Sequence, residues 1–169
     1  MYFLREKVIT DVYSVLFMQA GRGDIAYVRK FEYNDLDRVV SLANSTLTEY
    51  YSHELIFDIS EQWRDGFMVY VFRDEIAGFV AGSRHSQTEA RVLLLSVDPD
   101  MRRIGIGTAL MNDFMKLCRD HGMMSIRLEV QTQNTAAIVF YRKLGFVIIS
   151  TMKKYYTDLS DAYAMWRLL

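Results

Sequence analysis

From Ile25 onward the hydrophobic positions switch between a spacing of two and a spacing of three to four, and each change of period predicts a new element. Residues 25–31 read as a strand. Asn34 is placed to cap a helix, with Asp37 three positions on and Leu36, Val39, Val40 and Ala43 forming one apolar stripe. A second helix starts near Ser52 and carries Leu55, Ile56, Ile59 and Trp63. Residues 67–73 and 76–82 are β-rich runs on either side of Asp74-Glu75, which predicts a hairpin. Residues 91–97 form a strongly apolar strand closed by Asp98-Pro99-Asp100. A helix over 105–121 carries Leu110, Phe114, Leu117 and Cys118 and stops at Gly122. Residues 125–131 alternate cleanly, with Ile126, Leu128 and Val130 on one face and Arg127, Glu129 and Gln131 on the other. Asn134 opens a helix that reaches Leu144-Gly145, and two strands follow over 146–153 and 162–168. The order β-α-α-β-β-β-α-β-α-β-β predicts a mixed sheet with helices packed on it.

Residues 1–24 fit less well. The apolar run from Val8 to Phe17 is broken by Thr10, Asp11, Tyr13 and Ser14, and it is shorter than the ~20 residues of a membrane helix. Glu6 and Asp11 also argue against a signal peptide. We read residues 1–24 as an extension and 25–169 as one domain, which suits a chain of 169 residues. Twenty Lys and Arg against 21 Asp and Glu leave a formal charge of −1, so no global basic field attracts nucleic acid or an anionic membrane. Cys118 stands alone, which excludes an intrachain disulfide and fits a reducing, cytoplasmic setting. His53, His85 and His121 lack a metal-ligand spacing, so no metal is expected.

The chemistry concentrates after the apolar strand over 91–97. Arg102 and Arg103 precede Gly105-Ile106-Gly107-Thr108 at the predicted start of a helix. Glycines there allow close backbone approach, and the unpaired amides of a first helical turn suit a pyrophosphate. The arginines add charge-assisted donors. A solvated Arg pair beside a flexible turn is the plainer reading. A Walker loop is excluded because no lysine follows Gly107; a dinucleotide fingerprint would need glycine where Leu110 stands, but Glu129 lies about where its ribose-binding acid would sit, so that alternative stays open here.

Arg102-Arg103-Ile104-Gly105-Ile106-Gly107 resembles the acetyl-coenzyme A signature Q/R-x-x-G-x-G/A of the GCN5-related N-acetyltransferase (GNAT) superfamily. Downstream, Leu128-Glu129-Val130 followed by Asn134, Ala137-Ile138, Tyr141 and Gly145-Phe146 is similar to the same family's strand–Asn–Ala–Ile–Tyr–Gly–Phe pattern. Lys154-Tyr155-Tyr156-Thr157-Asp158 and Asp161-Ala162-Tyr163-Ala164-Met165 resemble the tail of the RimI/Ard1 branch, with Leu159-Ser160 in place of its Gly-Glu. Leu47-Thr48-Glu49-Tyr50-Tyr51 resembles that branch's L-P-E-N-Y loop, and Thr48 in place of proline is expected to loosen it. The resemblance implies an α/β (α+β) fold of the GNAT type: a mostly antiparallel sheet of six to seven strands flanked by about four helices. It also implies acetyl-CoA as cofactor and transfer of acetyl to the N-terminal amine of proteins or peptides.

The same resemblance assigns roles. Glu129 is the expected general base, since an α-amine of pKa about 7.7–8.0 must lose a proton before it attacks. Tyr141 is the expected general acid, a phenol near its ordinary value that protonates the leaving thiolate. Leu95, Ser96 and Val97 would hold the pantetheine by backbone groups, with the Val97 N–H as oxyanion donor. Arg102, Arg103, Ile104, Gly105, Ile106, Gly107 and Thr108 would bind the phosphates, and Asn134 would cap its helix and touch the cofactor along with Tyr141. Glu49, Tyr50, Tyr51, Tyr155 and Tyr156 are candidates for the substrate groove, with Glu49 free to take the substrate's ammonium. Cys118, on an apolar stripe, reads as structural, which favours direct attack in a ternary complex over an acetyl-enzyme. The alternatives are a GNAT enzyme acting on lysine side chains or a small amine, and a coenzyme A-binding regulator without turnover. The ribosome or an auxiliary subunit is a further candidate partner. First-residue preference and oligomeric state stay open.

Overall fold

The structure is a computed structural model that describes residues 25–169. The extension read over residues 1–24 lies outside the described residues. The strands are β1 (Ala26–Lys30), β2 (Phe67–Phe72), β3 (Glu75–Arg84), β4 (Glu89–Val97), β5 (Ser125–Gln131), β6 (Val147–Met152) and β7 (Ala162–Leu168). The helices are α1 (Leu36–Thr46), α2 (His53–Gln62), α3 (Ile106–Asp120) and α4 (Thr135–Lys143). The strands form one sheet in the order β1-β2-β3-β4-β5-β7-β6. Every neighbouring pair is antiparallel except β4 and β5, which run parallel with the α3 crossover between them. The expected element order and sheet type are both found.

Each face of the sheet buries its own core. Val39, Leu42 and Ala43 of α1 and Ile56 of α2 pack on Val69, Val71, Phe79 and Leu94. On the opposite face Leu110, Phe114 and Cys118 of α3 and Ile138 of α4 pack on Val80, Val92, Ile126 and Leu128. The two faces draw on alternate positions of the same strands, as a period of two requires. Gly82 is needed for this fit, because a Cβ there would come within 2.3 Å of the Phe114 ring.

Three local expectations change. Asn34 does not cap α1: it lies inside a single 3₁₀ turn (Tyr33–Asp35) that leads into the helix and is itself capped by a reciprocal pair, Glu32 and Asp35. The Glu32 amide donates to Asp35 at 2.8 Å, and the same buried carboxylate takes Arg29 in a fork at 2.6 and 2.8 Å. Pairing with a guanidinium from β1 outweighs a purely local cap at Asn34, since bidentate charge-assisted bonds are the stronger kind. The hairpin turns on Arg73-Asp74, one residue earlier than expected, with Phe72 opposite Glu75. Both turn residues have positive φ, 51° and 61°, the hand that matches the twist of the flanking strands. In α2, Ile56 and Ile59 face the core, but Leu55 is 43% exposed. Trp63 lies past the helix end and meets Phe114 edge-on at 5.7 Å on the other face of the sheet.

What positions the site is a defect in the sheet. Ala81 pairs with Leu94 and Gly82 with Val92, so Leu93 is an extra residue on β4. Such a bulge bends its strand. The β4–β5 ladder ends at that point, with Val92 opposite Leu128 as its last pair. Beyond it β4 stays on β3 and β5 on β7, and a wedge opens between them.

Replacing Asp35 with Ala should lower the unfolding free energy by about 2–3 kcal/mol, because it strands the Arg29 guanidinium and uncaps the 3₁₀ turn that leads into α1. Urea denaturation read by circular dichroism measures this, and a loss below about 0.5 kcal/mol contradicts the assignment.

Candidate active site

The wedge leaves backbone groups of β4 without a strand partner. The Asp98 amide donates to the Ala77 carbonyl on β3 at 2.9 Å. Amides alternate in direction along a strand, so the N–H and C=O of Val97 and of Leu95 point away from β3, into the wedge. The Val97 carbonyl there accepts from Arg102 Nε at 3.2 Å. Ser96 differs from the expectation. Its backbone faces β3 opposite Phe79, and its buried hydroxyl shares a 2.6 Å hydrogen bond with Thr46 of α1. Leu95 and Val97 can serve a ligand in the wedge, whereas Ser96 is committed to the fold.

At the mouth of the wedge the chain turns from β4 into α3. Asp98 accepts from the Asp100 amide at 3.1 Å and from Arg38 at 2.7 Å. The Arg38 guanidinium holds the Asp98 carboxyl below its usual range. Arg103 and Gly105 take positive φ of 66° and 99° before Ile106 starts the helix. The Ala109 amide makes the first helical bond, to Gly105 O at 2.9 Å. The amides of Ile106, Gly107 and Thr108 have no intrahelical acceptor, and no acidic side chain occupies the first turn. Ile106 itself is buried and contributes an amide only. Gly107 lies against α4, where a Cβ would stand 3.3 Å from the Phe140 ring. Arg102, Arg103 and Ile104 are exposed around these amides. Three free amides, two guanidiniums and the positive pole of a helix fit an anionic diphosphate. The residues present therefore suit a coenzyme A-type cofactor. Asn134 does cap α4, accepting from the Ala137 amide at 3.0 Å, and it also lines the wedge.

The wedge deepens into a cleft of about 160 Å³ whose walls include Leu95, Glu129, Asn134 and Tyr141. The Glu129 side chain is only 6% exposed and sits at the first position of β5 past the end of the β4–β5 ladder. Its Oε2 accepts from Arg91 Nε at 2.8 Å, and Arg127 Nη2 lies 3.5 Å from Oε1. Tyr141 is buried between the rings of Phe140 and Phe146. Burial, with Tyr156 close by, pushes its phenol well above the ordinary value. This corrects the unperturbed phenol expected from the sequence. The group holds its proton at neutral pH and enters chemistry only as a donor.

Two loops roof the cleft. The loop between α1 and α2 brings Leu47, Thr48, Glu49 and Tyr51, and the loop between β6 and β7 brings Tyr156. Glu49 is not free to receive an ammonium. Its two oxygens accept from the Thr157 amide at 2.9 Å and the Thr157 hydroxyl at 2.6 Å, which fastens one loop to the other. Thr48, in place of the branch's proline, adds a hydrogen bond across the cleft. Its hydroxyl donates to Gln131 at 3.3 Å, and Gln131 reaches Ser160 at 3.1 Å. Leu159 takes φ 64°, the left-handed conformation that the branch's glycine would supply. Burial and the neighbouring Tyr155 and Glu129 push the Tyr156 phenol up to about 12. Tyr51 is raised too, first by burial and then by Glu49. Tyr155 stands at the edge, its hydroxyl 2.7 Å from Arg91 Nη2 and its ring edge-on to Tyr156 at 5.1 Å. Tyr50 is 79% exposed and, like Tyr155, is not part of the cleft wall itself.

Arg91, Arg127, Gln131 and Thr157 were missed from the sequence. Arg91 carried a readable signal as the one charge in the strand expected over 91–97, but its partner depends on the register of two parallel strands. Thr157 carried none, since its link to Glu49 spans 108 residues. Cys118 is fully buried, and burial pushes its thiol up to about 12, so it is no nucleophile. Among the described residues no three His, Cys, Asp or Glu side chains gather as a metal site.

Residues 36–146 match the acetyltransferase (GNAT) family. An N-alpha-acetyltransferase of Sulfurisphaera tokodaii is 27% identical over 161 residues, covering 88% of this chain and 96% of its own. The crystal structure of Ard1 from Thermoplasma volcanium superposes with a TM-score of 0.84 at 47% identity, over 85% of this chain and 97% of that one. Arabidopsis thaliana Naa50 in complex with the bisubstrate analogue CoA-Ac-MVNAL superposes with a TM-score of 0.76 at 26% identity, over 84% and 97% of the two chains.

Replacing Gly105 with Val should weaken coenzyme A binding at least about tenfold, because a β-branched side chain resists positive φ and obstructs the turn. Isothermal titration reads this, and unchanged affinity in a folded variant overturns the assignment of that turn.

Proposed function

The chain belongs to the acetyltransferase (GNAT) family, and from that premise we propose that it is an N-alpha-acetyltransferase, moving acetyl from acetyl-CoA to the N-terminal amine of a protein or peptide. The observation that carries the reading is the pairing of Glu129 and Tyr141 in one cleft, at the point where β4 and β5 part. The Ard1 likeness at 47% identity, and an archaeal relative that the chain matches nearly end to end, favour an α-amine as acceptor.

Acetyl-CoA, when bound, supplies the acetyl group as a thioester. The amides of Ile106, Gly107 and Thr108 with Arg102 and Arg103 would hold its phosphates, and the free backbone groups of Leu95 and Val97 its pantetheine. Glu129 takes the proton of the incoming α-amine, directly or through one water. The Val97 N–H stands ready for the charge that develops on the carbonyl oxygen. The Tyr141 hydroxyl is the proton donor that the thiolate would need as nitrogen replaced sulfur on the acyl carbon. Solvent then restores both side chains. Direct attack is supported by the burial of Cys118, the chain's one thiol. The roof over the cleft, fastened by Glu49 and Thr157, favours a chain end entering from one side. A peptide backbone there would meet the polar fringe of Tyr51, Tyr155 and Tyr156. We place the substrates among polypeptide N-termini, with the ribosome or an auxiliary subunit as the candidate that presents them.

Peptides of varied first residue are incubated with acetyl-CoA, alongside peptides with a blocked α-amine and a free lysine, and the products are read by mass spectrometry. Acetyl on the free α-amine is expected; acetyl confined to lysine, or none at all, overturns the reading. Glu129→Gln should lower kcat about 10²–10⁴-fold, as loss of a general base does. Coenzyme A affinity should stay within about threefold in that variant, because the carboxylate lies apart from the phosphate turn.

A further inference from the structure

We infer that Arg91 is a positioning residue of this site: a single guanidinium that aims the Glu129 carboxylate and at the same time fastens the roof loop through Tyr155. The inference rests on the reading of Glu129 as the base. Arg91 precedes Val92, the last residue of β4 paired to β5, and Arg127 is its direct register partner. Two cations opposite each other repel, so the pair is tolerable only with a compensating anion. Glu129 supplies that anion, two residues along β5 on the same face.

The two arginines do not contribute equally. Arg127 stands 3.5 Å from Glu129 and is shared, with Nη1 3.3 Å from His85 and 4.0 Å from Glu89. Arg91 makes the tight contact, Nε to Oε2 at 2.8 Å, and commits its other arm to the Tyr155 hydroxyl at 2.7 Å. The Glu129 side chain is almost wholly buried, so its direction is set by this contact rather than by water. A planar fork can serve the carboxylate and the hydroxyl together; a lysine ammonium on a flexible stem can hold the first without fixing the second. One side chain thereby links the chemistry on β5 to the loop that roofs the peptide groove.

The test is a double-mutant cycle with steady-state kinetics on an N-terminal peptide substrate. Arg91→Gln should lower kcat about tenfold, the scale of coupling between contacting residues, with the KM for acetyl-CoA changed less than about twofold. In the Glu129→Gln background the same substitution should lower kcat by less than about twofold, because the group it aims is no longer a base. Arg91→Lys should restore kcat to within about threefold of the natural protein while the peptide KM stays raised about fivefold, since the charge returns but the tie to Tyr155 does not. Losses in kcat that multiply across the cycle overturn the inference, as does a rise confined to the acetyl-CoA KM. If Glu129→Gln alone leaves kcat unchanged, the base reading falls and this inference with it. If that variant is impaired and the losses still multiply, only the positioning role falls. Should Arg91→Gln fail to fold, Arg91→Lys in both backgrounds decides, and a multiplicative loss of kcat there is equally fatal.

Discussion

A backbone amide that leaves a ladder must find another partner, and the parting of β4 from β5 imposes that demand on the centre of this protein. The extra residue Leu93 bends β4, pairing stops after Val92 and Leu128, and the N–H and C=O groups of Leu95 and Val97 are left facing the gap. Arg102 satisfies one of these carbonyls. The other groups make the wedge a place where an extended, amide-bearing ligand is welcome. The remaining parts of the site are arranged around this opening. The free amides of α3 lie at its mouth, α4 closes one wall with Tyr141, and two loops cover the top.

Burial and charge divide the labour inside the cleft. Tyr141 lies between aromatic rings and is held neutral by loss of water. Glu129, equally sheltered, stands between two guanidiniums that come from adjacent parallel strands. The same low-dielectric surroundings thus hold one group as a proton donor and the other beside fixed positive charge. Two residues on consecutive elements acquire opposite tasks from their surroundings as much as from their own chemistry.

Much of this was legible in the amino-acid sequence. The period of two over Ser125–Gln131 placed Glu129 opposite Leu128 and Val130, and the glycines at 105 and 107 marked the helix entry correctly. Asn134 was readable as a cap because its hydrogen bond spans three residues. Reading failed where the deciding partner is remote. It also failed once among near neighbours, where Arg29 and Glu32 engage Asp35 and Asn34 is passed over as a cap. Glu49 looked free until the far loop delivered Thr157. Ser96 belonged to a motif segment, yet a helix packed on the other face of its strand took its hydroxyl. Local rules fix caps and periods; contacts between distant segments decide which polar groups remain available.

The cross-link between Glu49 and Thr157 gives the two parts of the site different histories in the chain. The turn that receives phosphates is made within fourteen residues, from Leu95 to Thr108, so it forms with little loop-closure entropy. The roof exists only when segments 108 residues apart have met, and its hydrogen bonds lie open to solvent. Solvent-exposed bonds of that kind open at low free energy, far below the cost of unfolding the core. The peptide entrance can therefore widen by parting Glu49 from Thr157, without disturbing the ladders on either side of the wedge.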